Sequence, residues 1–287
     1  MDAPTFDLQS HSTWSDGALP PAEVVRLARR EGVELLALTD HDTVDGVDEA
    51  LAAAAAEGIR LVPATELSAL DGEREDLHVL GYGIDHRSGA LLDALAGFRE
   101  DRERRAHRMA DALRVAGLEL EFPDRGGAPV GRPHLAQAAF EHPANRMRLE
   151  EENLVNFSQL LEAYLIPGRP AYRRRTTPTV AEAIGTIHAA GGVAVWAHPF
   201  WDVDAGDEVV RLIDSFAAEG LDGVEAFYVT HTEEQTRLAA AHCAERGLLT
   251  TGSADFHGPD HPRFHAFRAF ELFGIEPDLG PIRSGAP

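Results

Sequence analysis

The chain contains little cysteine and no long apolar segment. Its 287 residues include one cysteine, Cys243, which excludes an intramolecular disulfide and is typical of proteins from a reducing compartment. No apolar run approaches the roughly 20 residues that a membrane span requires. The N-terminal residues 1–4 lack the basic flank and apolar core of a secretory signal peptide. We therefore expect a soluble cytoplasmic protein without a membrane partner.

Positive charge is also scarce. Lys and Arg total 26 against 48 Asp and Glu, which gives a formal net charge of −22 at pH 7. This balance argues against binding to long nucleic acid duplexes or anionic membranes. A small phosphate ester can still bind an acidic protein if bound metal ions invert the charge of its pocket. The basic run Arg173–Arg175 is more typical of a solvated charged segment than of an anion site.

Short apolar runs alternate with helical patterns along most of the chain. The near-continuous apolar character of the runs is typical of parallel strands covered on both faces. The predicted strands are residues 6–8, 35–38, 61–62, 77–84, 193–197, 223–227 and 248–251. The predicted helices between them are residues 20–31, 47–57, 180–190, 207–219 and 232–246. This alternation predicts a parallel α/β architecture.

The alternation breaks in the middle of the chain. Residues 90–117 carry apolar side chains at helical spacing on a long charged helix. Residues 118–170 contain loops and short helical patterns without a strong strand. We therefore expect residues 1–87 and 173–287 to form one barrel domain, and residues 88–172 to form a helical insertion over it.

Polar residues that can bind metal cluster where predicted strands end. In a β/α barrel the carboxyl ends of all strands meet at one face, where active sites are built. Residues scattered over the whole chain would then converge on one mouth. They are Gln9, His11, Asp40, His41, Glu66, His78, His198, Asp255 and His257.

The types of these residues agree with a metal site. Neutral imidazoles and carboxylates suit divalent ions such as zinc, manganese or iron, and a bridging carboxylate allows two ions to lie close together. A single histidine at a strand end is more often a hydrogen-bonded rim residue, but five of them with matching carboxylates favour a metal site. Cys243 lies on a predicted helix and is expected to be a core residue.

Seven segments with these residues closely resemble the PHP family, named after its polymerase and histidinol phosphatase members. They follow one another in order from about residue 6 to 258. The segments are residues 7–12, 15–17, 39–42, 65–68, 77–81, 197–199 and 253–257. Two further segments, Gly131–His134 and Pro167–Pro170, resemble the branch that hydrolyses nucleotide and short oligonucleotide phosphates. The resemblance implies a distorted (βα)7 TIM-like barrel that holds two to three divalent metal ions.

The resemblance also implies a set of ligands. The first ion would be held by Gln9, His11, Glu66 and Asp255, with Glu66 bridging to a second ion held by His78 and His198. The third ion would be held by Asp16, His41 and His257. This chain departs from the family pattern at Gln9, where the family normally has a histidine. An amide oxygen is a weaker ligand, so the first ion is expected to bind least tightly.

The implied activity is that of a metal-dependent phosphoesterase. A metal-activated hydroxide would attack the phosphate, with Asp255 accepting a proton from the attacking water. The expected substrate is small, such as a nucleoside 3′,5′-bisphosphate or the end of a short oligonucleotide. One alternative is a phosphomonoesterase similar to histidinol phosphatase. Another is a non-catalytic barrel, degenerate at Gln9, that binds a metal or another ligand.

Other polar residues are expected to support the site. Asp40 and Asp42 are candidates for orienting a ligand histidine from behind, although Asp42 also fits the N-cap of the following helix. Arg132 and His134 either bind a phosphate or cap the next helix. His231 follows a predicted strand and is expected to contact the substrate.

Two aromatic residues follow the His198-Pro199 segment. At this point related nucleotide phosphatases often have a small residue and then an arginine. Phe200 and Trp201 stand there in this chain. Their rings predict an aromatic wall for a base.

Overall fold

The computed structural model of the chain describes residues 4–125, 130–201 and 203–284, and for Asp76 the backbone alone. The strands are β1 Phe6–Asp7, β2 Leu35–Leu38, β3 Arg60–Asp71, β4 Arg74–Tyr82, β5 Val193–Trp196, β6 Gly223–Tyr228 and β7 Leu249–Ser253. The helices are α1 Pro21–Arg30, α2 Val47–Glu57, α3 Gly89–Val115, α4 Arg132–Glu141, α5 Arg146–Glu151, α6 Phe157–Tyr164, α7 Val180–Ala189, α8 Gly206–Ala218 and α9 Glu233–Arg246. Short 3₁₀ helices span Pro143–Asn145 and Gly280–Ser284.

The chain divides into two compact units. The barrel unit contains Met1–Leu95 and Pro178–Pro287, and the helical unit contains Ala96–Thr177. Helix α3 begins in the first unit and continues into the second. These bounds lie a few residues further along the chain than the predicted residues 88 and 172.

The strands of the barrel unit form one seven-stranded sheet in the order β1 to β7. The sheet closes between its two ends, because the Leu8 N–H donates to the Gly252 carbonyl at 3.2 Å and Ser10 pairs with Phe256 in a parallel bridge. The side chains of β2 are all buried, which explains why this strand is apolar at every position. The predicted barrel is confirmed.

The prediction of an entirely parallel sheet is wrong for β4. This strand pairs antiparallel with both β3 and β5, whereas the other neighbours are parallel. Asp71 pairs with Arg74, so only Gly72 and Glu73 connect β3 to β4, and Gly72 has a φ of 54°. A two-residue connection is too short for a crossover helix and makes a hairpin, for which glycine supplies the positive φ. Gly72 at the first position of this two-residue turn is its sequence signal.

Local sequence signals explain where the helices begin and end. Helix α2 stops at Gly58, which has the left-handed φ of 67° that an L-residue with a side chain rarely adopts. Helix α7 begins at a capping box in which the Thr179 side chain accepts from the Glu182 N–H and the Glu182 carboxylate accepts from the Thr179 N–H. None of the helices within the described residues has both the length and the apolar character that a membrane span needs.

The helical unit has an apolar core of its own. Side chains of α3, α4 and α6 meet in it, including Met109, Leu113, Leu135, Ala139 and Leu160. Within residues 96–125 and 130–177 the structure contains helices and connecting segments but no strand. This unit is therefore stabilised by helix packing rather than by the sheet.

Candidate metal centre

The structure brings the nine predicted ligand residues together in the barrel unit. They lie on β3 and β4 and on the segments that follow β1, β2, β5 and β7. Seven of them line a cavity of about 150 Å³. The lining of the cavity comprises Gln9, His41, Glu66, His78, His198, Trp201, Tyr228, Asp255, His257 and Phe264.

Glu66 occupies the centre of this cluster and is fully buried on β3. Its Oε2 lies 3.1 Å from His11 Nε2 and 3.6 Å from His41 Nδ1. Its Oε1 lies 2.7 Å from His78 Nδ1 and 3.4 Å from His198 Nε2. The two carboxylate oxygens therefore face two different pairs of imidazoles, which is the arrangement that a bridging ligand requires.

Asp255 and His11 form a second contact in the same cluster. The Asp255 Oδ1 lies 3.1 Å from His11 Nε2, so this nitrogen faces the carboxylates of both Asp255 and Glu66. The other oxygen of Asp255, Oδ2, accepts a hydrogen bond from the Tyr228 hydroxyl at 2.7 Å. Asp255 is thus held by one oxygen while its other oxygen faces the histidines.

Asp16 brings a further carboxylate to the histidines. Its oxygens lie 3.6 Å from His11 Nδ1, 3.6 Å from His41 Nε2 and 3.5 Å from His257 Nε2. One potential ligand atom from each of His11, Asp16, His41 and His257 lies within 4.8 Å of the others. The same holds for His41, Glu66 and His78. Both groups have the compactness that a metal ion needs.

Several of these atoms are buried without a hydrogen-bond partner among the described residues. They are His11 Nε2, His41 Nδ1, His198 Nδ1 and Asp255 Oδ1. Burying a polar atom in this way costs about 1–3 kcal/mol. Imidazole nitrogen and carboxylate oxygen together are ligands for zinc, manganese and iron. The residues present therefore fit a site for divalent metal ions.

Gln9 has a different environment from the histidines. Its Nε2 donates to Glu66 Oε2 at 2.9 Å, and its Oε1 accepts from the Ser253 hydroxyl at 3.2 Å. The oxygen therefore points to Ser253, and the amide would have to turn over to offer it to a metal ion. The role of Gln9 as a ligand stays a prediction.

Burial and the neighbouring charges change the proton affinities of the cluster. Burial alone would lower the pKa of His11, but Asp255 and Glu66 raise it well above its usual value. His257 and His11 hold the pKa of Asp255 down to about 2, against the opposing effect of burial. The pKa of His41 falls to about 4, mainly because the ring is buried. Without metal, His11 therefore carries a proton that a metal ion would displace.

The two aspartates expected behind the ligands hydrogen-bond to residues in the segments that carry candidate ligands, and their orienting role stays a prediction. The Asp40 carboxylate accepts from the Ser12 N–H and hydroxyl, both at 2.7 Å, and from the Ser15 hydroxyl at 2.8 Å. The Asp42 carboxylate accepts from the Ser68 N–H at 3.0 Å, while its own N–H donates to the Glu66 carbonyl. The alternative that Asp42 caps the next helix is wrong, because the residue before α2 is Gly46.

The predicted substrate contacts are not part of the cavity lining. Arg132 and His134 lie on α4 of the helical unit, where His134 Nδ1 accepts from the Gly131 N–H at 2.9 Å. This hydrogen bond supports helix capping by His134. His231 is buried beside Phe200, with ring centroids 5.0 Å apart, and its Nδ1 lies 3.1 Å from the Ala226 carbonyl.

The basic run Arg173–Arg175 is not a wholly solvated segment, contrary to the interpretation from composition. Arg175 is only 3% exposed. The guanidinium of Arg173 donates to the carbonyl groups of Pro170 and Tyr172. These side chains therefore contribute to the packing and hydrogen bonding of the helical unit.

Three buried residues near the cluster were missed in the sequence. Glu225 Oε2 accepts from the His198 N–H at 2.9 Å, and its Oε1 lies 2.6 Å from the Ser253 hydroxyl oxygen. Asp7 accepts from the backbone N–H groups of Ala254 and Arg268, and burial raises its pKa to about 7. Tyr228 orients Asp255. Glu225 and Asp7 had a signal, since each is a charged residue inside a buried apolar strand.

The barrel and its cluster of histidines and carboxylates define a metal-binding α/β protein. The chain belongs to the PHP family, since the family model described as the PHP domain matches residues 7–163. It is 36% identical to a 3′,5′-nucleoside bisphosphate phosphatase of Chromobacterium violaceum over 88% of this chain and 87% of that protein. It is 35% identical to a 5′-3′ exoribonuclease of Haemophilus influenzae over 88% of this chain and 90% of that protein.

A solved structure agrees with these relatives. A protein of Bifidobacterium adolescentis, described as a metal-dependent phosphoesterase, superimposes with a TM-score of 0.73 and 28% identity over 91% of both chains. The predicted family is therefore confirmed. The predicted class of enzyme, a hydrolase of phosphate esters, is confirmed as well.

Proposed function

We propose that this chain is a metal-dependent phosphoesterase that removes phosphate from nucleoside 3′,5′-bisphosphates or from the ends of short oligonucleotides. The observation that carries the proposal is the placement of Glu66, whose two oxygens face separate pairs of imidazoles beside Asp255. The proposed ligands are Gln9, His11, Asp16, His41, Glu66, His78, His198, Asp255 and His257, of which Gln9 would have to turn its amide over to offer an oxygen. Two to three ions of manganese, zinc or iron fit these ligands.

Divalent ions bound there would lower the pKa of a water molecule and neutralise charge on the phosphate. Asp255 is proposed to accept the proton of that water, and the support for this is that Tyr228 holds its Oδ2 while its Oδ1 faces the histidine cluster. No serine or cysteine nucleophile is needed, which agrees with the burial of Cys243 away from the cavity.

The choice of a small nucleotide rests on charge and on the relatives. The net charge of −22 opposes long anionic polymers, whereas a single nucleotide needs only the local charge of the metal ions. The relatives named above act on nucleoside bisphosphates and on RNA. Arg132 and His134 are proposed to bind a second phosphate of the substrate. A cytoplasmic location is also proposed, on the basis of the single cysteine.

A substrate panel with metal-stripped enzyme tests the proposal. Adenosine 3′,5′-bisphosphate, a 5′-phosphorylated trinucleotide and histidinol phosphate would be compared after manganese, zinc or iron is added back. We expect activity only with metal, and kcat/KM at least tenfold higher for the two nucleotide substrates than for histidinol phosphate. Full activity after metal removal, or equal rates on all three compounds, would contradict it.

A point variant gives the matched control for the panel. His198→Ala removes an imidazole that faces Glu66 and should lower kcat/KM by more than tenfold, or about 1.4 kcal/mol. His188→Ala is the control, because this half-exposed histidine lies outside the cavity lining and pairs with Asp222. Elemental analysis of both variants should show metal loss for the first and not for the second.

A further inference from the structure

Two aromatic side chains line the cavity but have no role in the metal binding or proton transfer proposed above. Trp201 follows β5 and Phe264 follows β7, and their ring centroids lie 5.7 Å apart. We call this pair the aromatic shelf. Both rings also lie near Tyr228, at 6.4 Å and 6.3 Å between centroids. The shelf therefore forms a continuous aromatic wall beside the metal cluster.

Backbone hydrogen bonds tie the shelf to the candidate ligands. The Trp201 N–H donates to the His198 carbonyl at 2.8 Å, and the His257 N–H donates to the Phe264 carbonyl at 2.9 Å. The rings follow the same pairing, with Trp201 6.5 Å from His198 and Phe264 5.4 Å from His257. A molecule whose phosphate lies at the metal centre would thus have its adjoining group next to the shelf.

The Trp201 ring of the shelf is exposed to solvent, although large aromatic side chains are usually buried. Trp201 is 43% exposed, whereas the neighbouring Phe200 is buried against His231. The guanidinium of Arg263 lies over the Trp201 ring, 5.1 Å from its centroid. In a chain with a net charge of −22, this brings a cation to one face of the Trp201 ring. Guanidinium groups and aromatic rings are the two kinds of surface on which nucleobases stack.

We propose that the aromatic shelf is a nucleobase subsite, on which Trp201 and Phe264 stack the base of a nucleotide whose phosphate lies at the metal centre. The proposal rests on the proposed function for the placement of the phosphate. It adds that the base itself is recognised, through its flat face. Stacking accepts every base, so the subsite selects nucleotides over other phosphate esters without selecting one base sequence.

The test compares two ligands that differ only in the base. Adenosine 5′-monophosphate and ribose 5-phosphate share the sugar and the phosphate, and calorimetry with the metal-loaded protein would give a Kd for each. We expect the nucleotide to bind about tenfold more tightly, which is equivalent to about 1.4 kcal/mol. Trp201→Ala should reduce this ratio to below about twofold, whereas Trp201→Phe should retain most of it because it keeps a stacking ring.

Leu238→Ala is the matched control, since Leu238 is another exposed apolar side chain of the barrel unit and lies outside the cavity lining. Its ratio should equal that of the wild type. A ratio in Trp201→Ala that matches the wild type overturns the subsite, and so does a wild-type ratio near one or the absence of binding by both ligands. If the enzyme hydrolyses nucleotides but Trp201→Ala keeps the wild-type ratio of the two Kd values, the proposed function is supported and the subsite is not. A base-dependent ratio without hydrolysis would support the subsite and contradict the proposed function.

Discussion

Buried polar residues in the two compact units differ in what their atoms contact. In the helical unit, Asn145 is 2% exposed and makes three hydrogen bonds, from the Glu119 N–H and to the carbonyl groups of Glu119 and Ala139. In the barrel unit, His41 Nδ1 and His198 Nδ1 are buried without a hydrogen-bond partner among the described residues. A buried polar residue with all its hydrogen bonds, such as Asn145, stabilises the fold. Buried polar atoms without a partner are candidates for binding a ligand.

The energetic meaning of this difference is direct. A satisfied buried amide contributes about 1 kcal/mol per hydrogen bond, whereas an unsatisfied buried atom costs about 1–3 kcal/mol. Four such atoms belong to the candidate metal ligands. A bound cation would recover this cost. Proteins commonly accept such a cost at functional sites.

The largest effect is expected for Glu66→Gln. The amide keeps the size of the side chain, but it removes the charge that faces four imidazoles. We expect kcat/KM on adenosine 3′,5′-bisphosphate to fall at least a thousandfold, or about 4 kcal/mol, with the loss of bound metal. Steady-state kinetics and elemental analysis would measure this. If the variant keeps its metal and more than a tenth of its activity, Glu66 is not the central metal ligand of the site.

The opposite pattern is expected for Asn145→Ala. This change leaves the Glu119 N–H and the two carbonyl groups without their partner, so the free energy of unfolding should fall by about 1–3 kcal/mol. The kcat/KM per folded molecule should stay within about twofold of the wild type. Chemical denaturation and kinetics at a temperature where the variant is folded would show both. A large loss of activity without a loss of stability would contradict the conclusion that Asn145 stabilises the fold and has no part in catalysis.

Most of the barrel could be predicted from the sequence because its signals are local. Strand β2 and helix α2 have the predicted bounds, since an apolar run and an alanine-rich segment closed by Gly58 leave few alternatives. The convergence of the histidines followed from barrel geometry. The antiparallel pairing of β4 depended on a two-residue turn at Gly72, a signal that a search for alternating strands and helices passes over.

Contacts between distant segments could not be predicted in the same way. The hydrogen bond from Tyr228 to Asp255 joins the last residue of β6 to the segment after β7, and nothing in either segment encodes its geometry. The burial of Arg175 depends on the packing of the helical unit, which composition does not specify. The orientation of the Gln9 amide likewise follows from Glu66 and Ser253, which lie 57 and 244 residues away.

A pH dependence is expected from His11 in the metal-free protein. Asp255 and Glu66 raise its folded pKa above the usual 6.5, so its contribution to stability is present below about pH 6.5 and is lost as the pH rises through the folded value. The Tm of the metal-free wild type should therefore exceed that of His11→Gln most at pH 6, and the difference should shrink towards pH 9. A difference that grows with pH would contradict the charged state of His11.

The affinity for metal should rise with pH, whereas the stabilising contribution of protonated His11 falls. Binding of a metal ion must displace the proton of His11, so the Kd for manganese should decrease as the pH rises from 6 to 8. Competition with a chromophoric chelator would measure it. His188→Ala, which changes a histidine outside the cavity lining, should follow the wild-type curve.

The smallest effect is expected at Gln9, the position where the barrel unit combines both kinds of buried polar residue. Its amide is satisfied like that of Asn145, because it donates to Glu66 and accepts from Ser253. It also stands where the first metal ion would need a ligand. If its oxygen remains with Ser253, Gln9→His adds an imidazole nitrogen and should lower the metal concentration for half-maximal activity by a few-fold. Gln9→Leu removes both hydrogen bonds without adding a ligand, so its titration should not shift in that direction. Titrating manganese into the stripped proteins, with bound metal counted at each step, makes the measurement. Superimposable curves for the wild type and Gln9→His would mean that Gln9 already serves as a ligand or that no ion binds beside it.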